Sequence, residues 1–238
     1  DIPAYSIWDA AYRLYQTAEY WPAGTVFVSI VDPGVGTERL SVVLKTKNGQ
    51  YFVTPDNGTL ALVAEKFGID EVRQIDEAVN RRQDSEKSYT FHGRDVYAYT
   101  GARLASGAIT FEQVGKKLPS KVEMISYKKA KYENNTLVGN IHILDVQYGN
   151  IWTNIDRNTA SKMNIKKGDI FTVEIYNKDK LIFKDKMPFA NSFGDVPEGK
   201  NLMYYNSLDS LSFAVNMGDF ASTYKIEYGG DWSVKIYK

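Results

Sequence analysis

Apolar positions recur along this chain with two different periods, and the place where the period changes divides it. Near the start, Ala11, Leu14, Tyr15 and Ala18 share one stripe at helical spacing. They follow Ser6-Ile7-Trp8-Asp9, a hydroxyl with an acid three residues later, and Trp21-Pro22 ends the run. An apolar segment, Val26-Phe27-Val28-Ser29-Ile30-Val31, then predicts a buried strand. Ser41 to Thr46 and Gln50 to Thr54 flank Asn48-Gly49 and predict a hairpin. Pro55-Asp56-Asn57-Gly58 turns into a helix from Thr59 to Phe67. Val79 to Lys87 is polar and aperiodic, which predicts an exposed loop. A strand at Tyr89-Thr90-Phe91 and a helix from about Asp95 to Ala105 follow. Interleaved strands and helices predict an α/β domain.

Near residue 116 the pattern changes. Lys116, Lys117, Lys121, Lys128, Lys129 and Lys131 cluster around Pro119 and read as a solvated connector. Short β runs then follow one another: Val138 to Leu144, Asn150 to Asn154, Ile170 to Ile175, Leu181 to Lys184, Leu202 to Tyr205, Leu211 to Val215 and Tyr224 to Glu227. With one helical insert, about Arg157 to Met163, they predict a small barrel or sandwich. The expected boundary separates residues 1–127, an α/β domain with a Rossmann-like layered sheet, from residues 128–238, an all-β barrel or sandwich.

Composition narrows the chemistry more than the fold. The 238 residues suffice for one large or two ordinary domains. Lysine plus arginine total 29, as do aspartate plus glutamate, so no net charge steers the chain toward nucleic acid or an anionic membrane. With no cysteine there is no disulfide, thiolate nucleophile or cysteine-ligated metal. Two distant histidines offer no zinc spacing, and no apolar run is long enough to span a membrane. The expectation is therefore no metal, no nucleic-acid partner and no membrane; the absence of cysteine leaves the compartment open, and a cytoplasmic location is the expectation.

Two segments concentrate reactive groups. Asp32-Pro33-Gly34-Val35-Gly36-Thr37-Glu38-Arg39 leaves the end of a predicted strand, the place where open α/β sheets hold ligands. Its glycines match neither the dinucleotide fingerprint nor a phosphate loop. Taken alone, Asp32 and Arg39 read first as a pair that locks a turn. Thr90-Phe91-His92-Gly93-Arg94-Asp95 carries one of the two histidines, and a lone His at a strand end is commonly a structural hydrogen-bonder. In the second half, Asp145-Val146-Gln147-Tyr148-Gly149-Asn150-Ile151-Trp152 places an acid, a carboxamide and an indole at one bend. That bend could read a polar planar ligand or could satisfy its own backbone.

Together, Asp1-Ile2-Pro3, Val31 to Arg39, Pro55 to Gly58, Thr90 to Val96, Gly149 to Ile155 and Asn206-Ser207 resemble the S-adenosyl-L-methionine hydroxide adenosyltransferases. Those enzymes are relatives of fluorinases and chlorinases that attack C5′ of the same substrate. The resemblance implies an α/β domain followed by a β-barrel, and a homotrimer with active sites between subunits. It implies S-adenosyl-L-methionine as substrate, no cofactor, and hydrolysis to adenosine and L-methionine. The hydrolysing branch carries an Asp, Arg and His triad, which falls on Asp32, Arg39 and His92; the halogenating branch lacks it. Substrate contacts carry over to Tyr5, Asp145, Asn150, Trp152, Phe193 and Ser207. Leu208 stands where one family member has an arginine for the amino-acid end, so that contact is left open. Family members also carry a first strand and an acidic, ribose-holding loop ahead of the segment matching Asp1. The first domain is accordingly expected to lack that strand and loop. A 5′-halogenase, or a nucleoside-binding scaffold without activity, remains the alternative.

Overall fold

The computed structural model describes residues 2–238, so Asp1 of the Asp1-Ile2-Pro3 segment lies outside the described residues. The chain divides into two compact units, one ending at Ile125 and one spanning Ser126–Lys238.

In the first unit, helix α1 (Ile7–Ala18) starts at Ser6, whose Oγ accepts the Asp9 N–H at 3.3 Å. Its end is closed from outside: buried Gln50 donates through Nε2 to the carbonyls of Ala18 and Trp21 at 2.7 and 2.6 Å. Strands β1 (Val26–Val28), β2 (Ser41–Thr46), β3 (Tyr51–Pro55), β4 (Ile69–Gln74) and β5 (Lys117–Leu118) form a mixed sheet in the order β1-β3-β2-β4-β5. The β1–β3 pair is parallel and the others are antiparallel. Alternation along β2 sends its side chains to both faces. Val42 and Leu44 join Leu14, Ala18 and, from helix α2 (Ala61–Phe67), Val63 on one side. Val43 joins Val53, Val96 and Tyr97 on the other. Helices on both faces of one sheet give the layered α/β arrangement expected from the interleaved pattern.

Three local expectations change. The predicted strand reaching Val31 stops at Val28, and its last ladder contact is Ser29 N–H to the Val53 carbonyl at 3.2 Å. Tyr89-Thr90-Phe91 is not a strand. The Phe91 carbonyl accepts the N–H groups of Arg94 and Asp95 at 3.1 and 2.9 Å and opens a π-helical turn, Gly93–Ala98, that runs into α3 (Tyr99–Ala105). The lysine-rich segment is partly ordered into β5, against β4, and contributes buried Val122.

In the second unit, β6 (Lys131–Glu133), β7 (Thr136–Asp145), β8 (Asn150–Asp156), β9 (Ile170–Asn177), β10 (Lys180–Pro188), β11 (Asn201–Tyr205), β12 (Ser210–Val215) and β13 (Trp232–Tyr237) make one sheet. Its order is β10-β9-β13-β7-β8-β12-β11, with β6 on β7. The two outer strands approach one another beyond the end of β10, where the Ala190 N–H donates to the Met203 carbonyl at 2.8 Å, so the sheet is nearly a closed barrel. Inward residues such as Ile141, Ile151, Val173, Ile175, Phe213 and Val234 fill it. Helix α4 (Arg157–Ser161) matches the predicted insert. The expected strand Tyr224 to Glu227 is replaced by helix α5 (Phe220–Tyr224), because Asp219 caps it and Phe220 and Ala221 bury in the barrel core. Strand β13 was not expected, although Trp232, Val234 and Ile236 alternate inward. No helix among the described residues is long and apolar enough to cross a membrane.

Candidate active site

The first cluster of functional groups grows from the loop after β1. The Val35 N–H donates to the Asp32 carbonyl at 3.2 Å and the Thr37 N–H to the Gly34 carbonyl at 3.1 Å, so two tight turns follow one another. Gly36 supplies the positive φ, +80°, that this path needs. The Pro55-Asp56-Asn57-Gly58 turn clamps both ends of the loop. Asn57 Nδ2 donates to the Val31 carbonyl at 2.9 Å, and the Asp56 N–H donates to the Leu40 carbonyl at 2.9 Å. Asn57 is itself fixed, accepting from Thr59 Oγ1 and N at 2.8 and 3.2 Å. Asp32 and Arg39 therefore meet at one short, braced loop.

Arg39 is the hub. Its Nε donates to Asp32 Oδ1 and Oδ2 at 2.9 and 3.1 Å, and its Nη2 donates to Oδ2 as well. The same Nη2 lies 3.0 Å from His92 Nδ1, and Nη1 donates to Ser41 Oγ at 3.0 Å. The guanidinium also sits 5.4 Å from the ring centre of Tyr97. Side chains of Asp32 and Arg39 are 7% and 10% exposed, so this pairing is shielded from water and stronger than a surface ion pair. The guanidinium is held above its ordinary range: burial opposes the charge, but the Asp32 hydrogen bond and the nearby Tyr97, Asp32 and Glu77 outweigh it. His92 stands at the entry to the π-helical turn and is buried. Burial lowers its pKa first. Glu77 and Asp32 act the other way, while Arg39 and Arg81 add to the lowering. The net direction is down, so His92 is a neutral imidazole at pH 7.

Sequence reading missed Arg81. The Val79 to Lys87 stretch is less free than its composition predicts: Asn80 is buried, and the Arg82 N–H donates to the Asp95 carbonyl at 2.8 Å. Arg81 Nη2 thereby comes within 3.2 Å of His92 Nε2. No spacing rule points at an arginine in an aperiodic polar stretch.

The second cluster lies in the barrel unit. Asp145, Asn150, Trp152, Phe193 and Ser207 all line one cavity of about 650 Å³, which Tyr204, Asn216, Met217 and Asp219 help to close. Two turns present its polar groups. Asn206 Oδ1 accepts the N–H groups of Leu208 and Ser210 at 2.9 and 3.1 Å, so Asn206 shapes the turn that carries Ser207. Gly149 has φ +67°, and a Cβ there would lie 2.2 Å from Asp219 Oδ1. Only glycine lets the Asp145–Asn150 bend approach the cap of α5. Phe193 lies 5.1 Å from Tyr204, ring centre to ring centre. Burial pushes the Tyr204 phenol up to about 12, with Trp152 acting against it and Asp145 with it, so Tyr204 is a neutral hydroxyl. An apolar slot with a few polar groups at its rim suits a flat, polar-edged ligand.

Tyr5, the remaining expected contact, is not among the first-unit side chains that meet at Arg39. It lies in the first unit with φ +68° and a 79% exposed side chain. Among the described residues no group of His, Asp and Glu is arranged to hold a metal ion.

Two family descriptions match the sequence: SAM hydroxide adenosyltransferase N-terminal domain over residues 1–115, and SAM hydroxide adenosyltransferase C-terminal domain over residues 139–233. An (R)-S-adenosyl-L-methionine hydrolase from Methanocaldococcus jannaschii is 34% identical over 230 residues, covering 96% of this chain and 78% of that protein. A fluorinase from Nocardia brasiliensis is 26% identical, covering 91% of this chain and 78% of that one. Among solved structures, an uncharacterized conserved protein from Thermotoga maritima superposes with a TM-score of 0.88 at 35% identity, covering 100% of this chain and 86% of that chain.

Proposed function

The chain belongs to the SAM hydroxide adenosyltransferase family, and from that membership we propose that it hydrolyses S-adenosyl-L-methionine to adenosine and L-methionine. The observation that carries the proposal is one guanidinium, Arg39, bonded at once to the Asp32 carboxylate and to His92 Nδ1.

In this reading a water oxygen bonds to C5′ as the C5′–S bond breaks. The bonding pair leaves with sulfur, which turns a sulfonium into the neutral thioether of methionine. The protein's tasks are to place the water in line and to accept its proton. Asp32 Oδ1 accepts one hydrogen bond from Arg39 while Oδ2 accepts two, so Oδ1 keeps the larger spare capacity for a water proton. Arg39 fixes the carboxylate rotamer through its forked hydrogen bonds. His92, neutral but disfavoured as a cation, passes the water proton on to bulk solvent rather than storing it. Placement of water and substrate supplies several kcal/mol of the barrier. Proton transfer through a positioned side chain contributes roughly 10²–10⁴-fold.

We assign the adenosyl part of the substrate to the barrel cavity, with Trp152 and Phe193 against the base and Asp145, Asn150 and Ser207 offering polar contacts. Tyr5 is retained as a nucleoside contact on the resemblance alone. A homotrimer and a cytoplasmic location belong to the same proposal, and a solution mass three times 26.9 kDa is the expected measurement for the trimer. The test of the catalytic assignment is Asp32→Ala and His92→Ala. Each is expected to fold like the wild type and release little adenosine; wild-type turnover in either removes the triad from the mechanism.

A further inference from the structure

Five side chains, two of them from the triad, close a ring. Arg39 Nη1 donates to Ser41 Oγ at 3.0 Å, and Ser41 Oγ donates to Glu77 Oε1 at 3.2 Å. Arg81 Nη2 then donates to Glu77 Oε2 at 2.6 Å and lies 3.2 Å from His92 Nε2, while His92 Nδ1 faces Arg39. The Tyr97 hydroxyl, 3.1 Å from Ser41 Oγ, supplies the hydrogen bond that Ser41 can still accept. Arg81 is held on both flanks. Asn80 Nδ2 donates to the Gln113 and Val114 carbonyls, the Asn80 carbonyl accepts from Thr100 Oγ1 at 3.1 Å, and Arg82 is tied to Asp95. The Arg81 side chain is only 15% exposed.

We propose that Arg81, held by Glu77, is a positioning residue for the hydrolysis: its guanidinium closes the Nε2 edge of His92 opposite Arg39 and confines the imidazole between the two arginines. A guanidinium only donates hydrogen bonds, and a neutral imidazole has one lone pair. His92 therefore satisfies one arginine at a time, and an imidazolium would satisfy neither. A proton that reaches His92 is released to bulk water, since neither guanidinium can accept it, which is what a shuttle requires and a resting base does not. The charged groups facing His92 are Arg39 and Asp32 from the loop after β1, and Glu77 and Arg81 from the segment after β4. Arg81 disfavours the cation and Glu77 favours it, so the two residues have opposite expected effects on its titration.

This inference rests on the hydrolase reading, and its test separates the two. Only two histidines occur in the chain, so ring-nitrogen shifts of ¹⁵N-histidine protein assign His92 once a His142 variant is compared. In the full chain, His92 is expected to titrate below the ordinary imidazole range, with a single protonated nitrogen while it is neutral. Arg81→Gln removes a like charge and frees Glu77, so the midpoint moves up by about one pH unit. Glu77→Gln moves it down. The acid limb of the kcat profile follows both shifts, and Arg81→Lys, which keeps a cation beside Glu77, restores most of the wild-type profile. Midpoints that stay put, or that move in the same direction in both Arg81→Gln and Glu77→Gln, overturn the role of Arg81 whatever the activity. The expected midpoints in a protein that releases no adenosine would support the clamp and remove the hydrolase reading instead.

Discussion

The Asn57 side-chain amide holds the Val31 carbonyl at 2.9 Å, one residue before Asp32. The bond spans from the turn after β3 to the end of the β1 segment and fixes where the Asp32–Arg39 loop begins. Asn57→Ala removes this bond and leaves a half-buried carbonyl without its partner, a loss of about 1–2 kcal/mol. The expected outcome is a modestly lower Tm by calorimetry and a larger proportional fall in adenosine formation, because the loop start is released.

Arg39→Lys keeps the positive charge and loses the fork. One ammonium cannot donate to both Asp32 oxygens, Ser41 and His92 in the geometry that the planar guanidinium gives. Steady-state kinetics should show kcat lowered by about 10²-fold or more, with KM little changed, since the barrel cavity is untouched. A lysine variant with wild-type kcat would reduce Arg39 to a lock on the turn.

How much of this was readable in the sequence differs between the two clusters. Asp32, Arg39 and His92 sit at recognisable punctuation, a Pro/Gly turn after an apolar run and a His-Gly step before a helix. Their spacing of 7 and 53 residues acquires meaning only when Arg39 is found on both. Asp145, Asn150 and Trp152 crowd one bend and so advertise themselves, whereas Met217 and Asp219 reach the cavity by tertiary packing that no periodicity encodes. The misread elements share a cause. Tyr89 to Phe91 and Tyr224 to Glu227 are alternating stretches of three and four residues, too short to separate helix from strand, and local capping decided: Phe91 receives the first helical N–H groups, and Asp219 caps α5. Arg81 was unreadable because an arginine in a polar stretch carries no pattern at all.

Stability should fall with acid through a group outside the triad. His142 is buried in the barrel unit, and burial, with Lys129 adding, lowers its pKa to about 3. The unfolded chain binds that proton near pH 6.5, whereas the native protein binds it only near pH 3. Between those limits the unfolded state holds more protons, so stability is lost as pH falls, by up to about 1.4 kcal/mol per unit. Urea unfolding at pH 7, 5.5 and 4.5 measures the slope, and His142→Gln should make it shallower.

Gly149→Ala should injure the barrel cavity without touching the triad. The new methyl requires a left-handed backbone and overlaps Asp219, so the bend and the cap of α5 must separate. Calorimetric titration with adenosine is expected to show about tenfold weaker binding, equivalent to roughly 1.4 kcal/mol. Unchanged affinity would place the nucleoside elsewhere.

The central claim is that water, delivered at Asp32, is the nucleophile at C5′. Turnover of S-adenosyl-L-methionine in ¹⁸O-water containing chloride and fluoride, followed by mass spectrometry of the nucleoside, tests it most directly. The prediction is adenosine carrying one ¹⁸O at its 5′ hydroxyl together with unlabelled methionine. A 5′-chloro- or 5′-fluoro-nucleoside, or adenosine without the label, would contradict it.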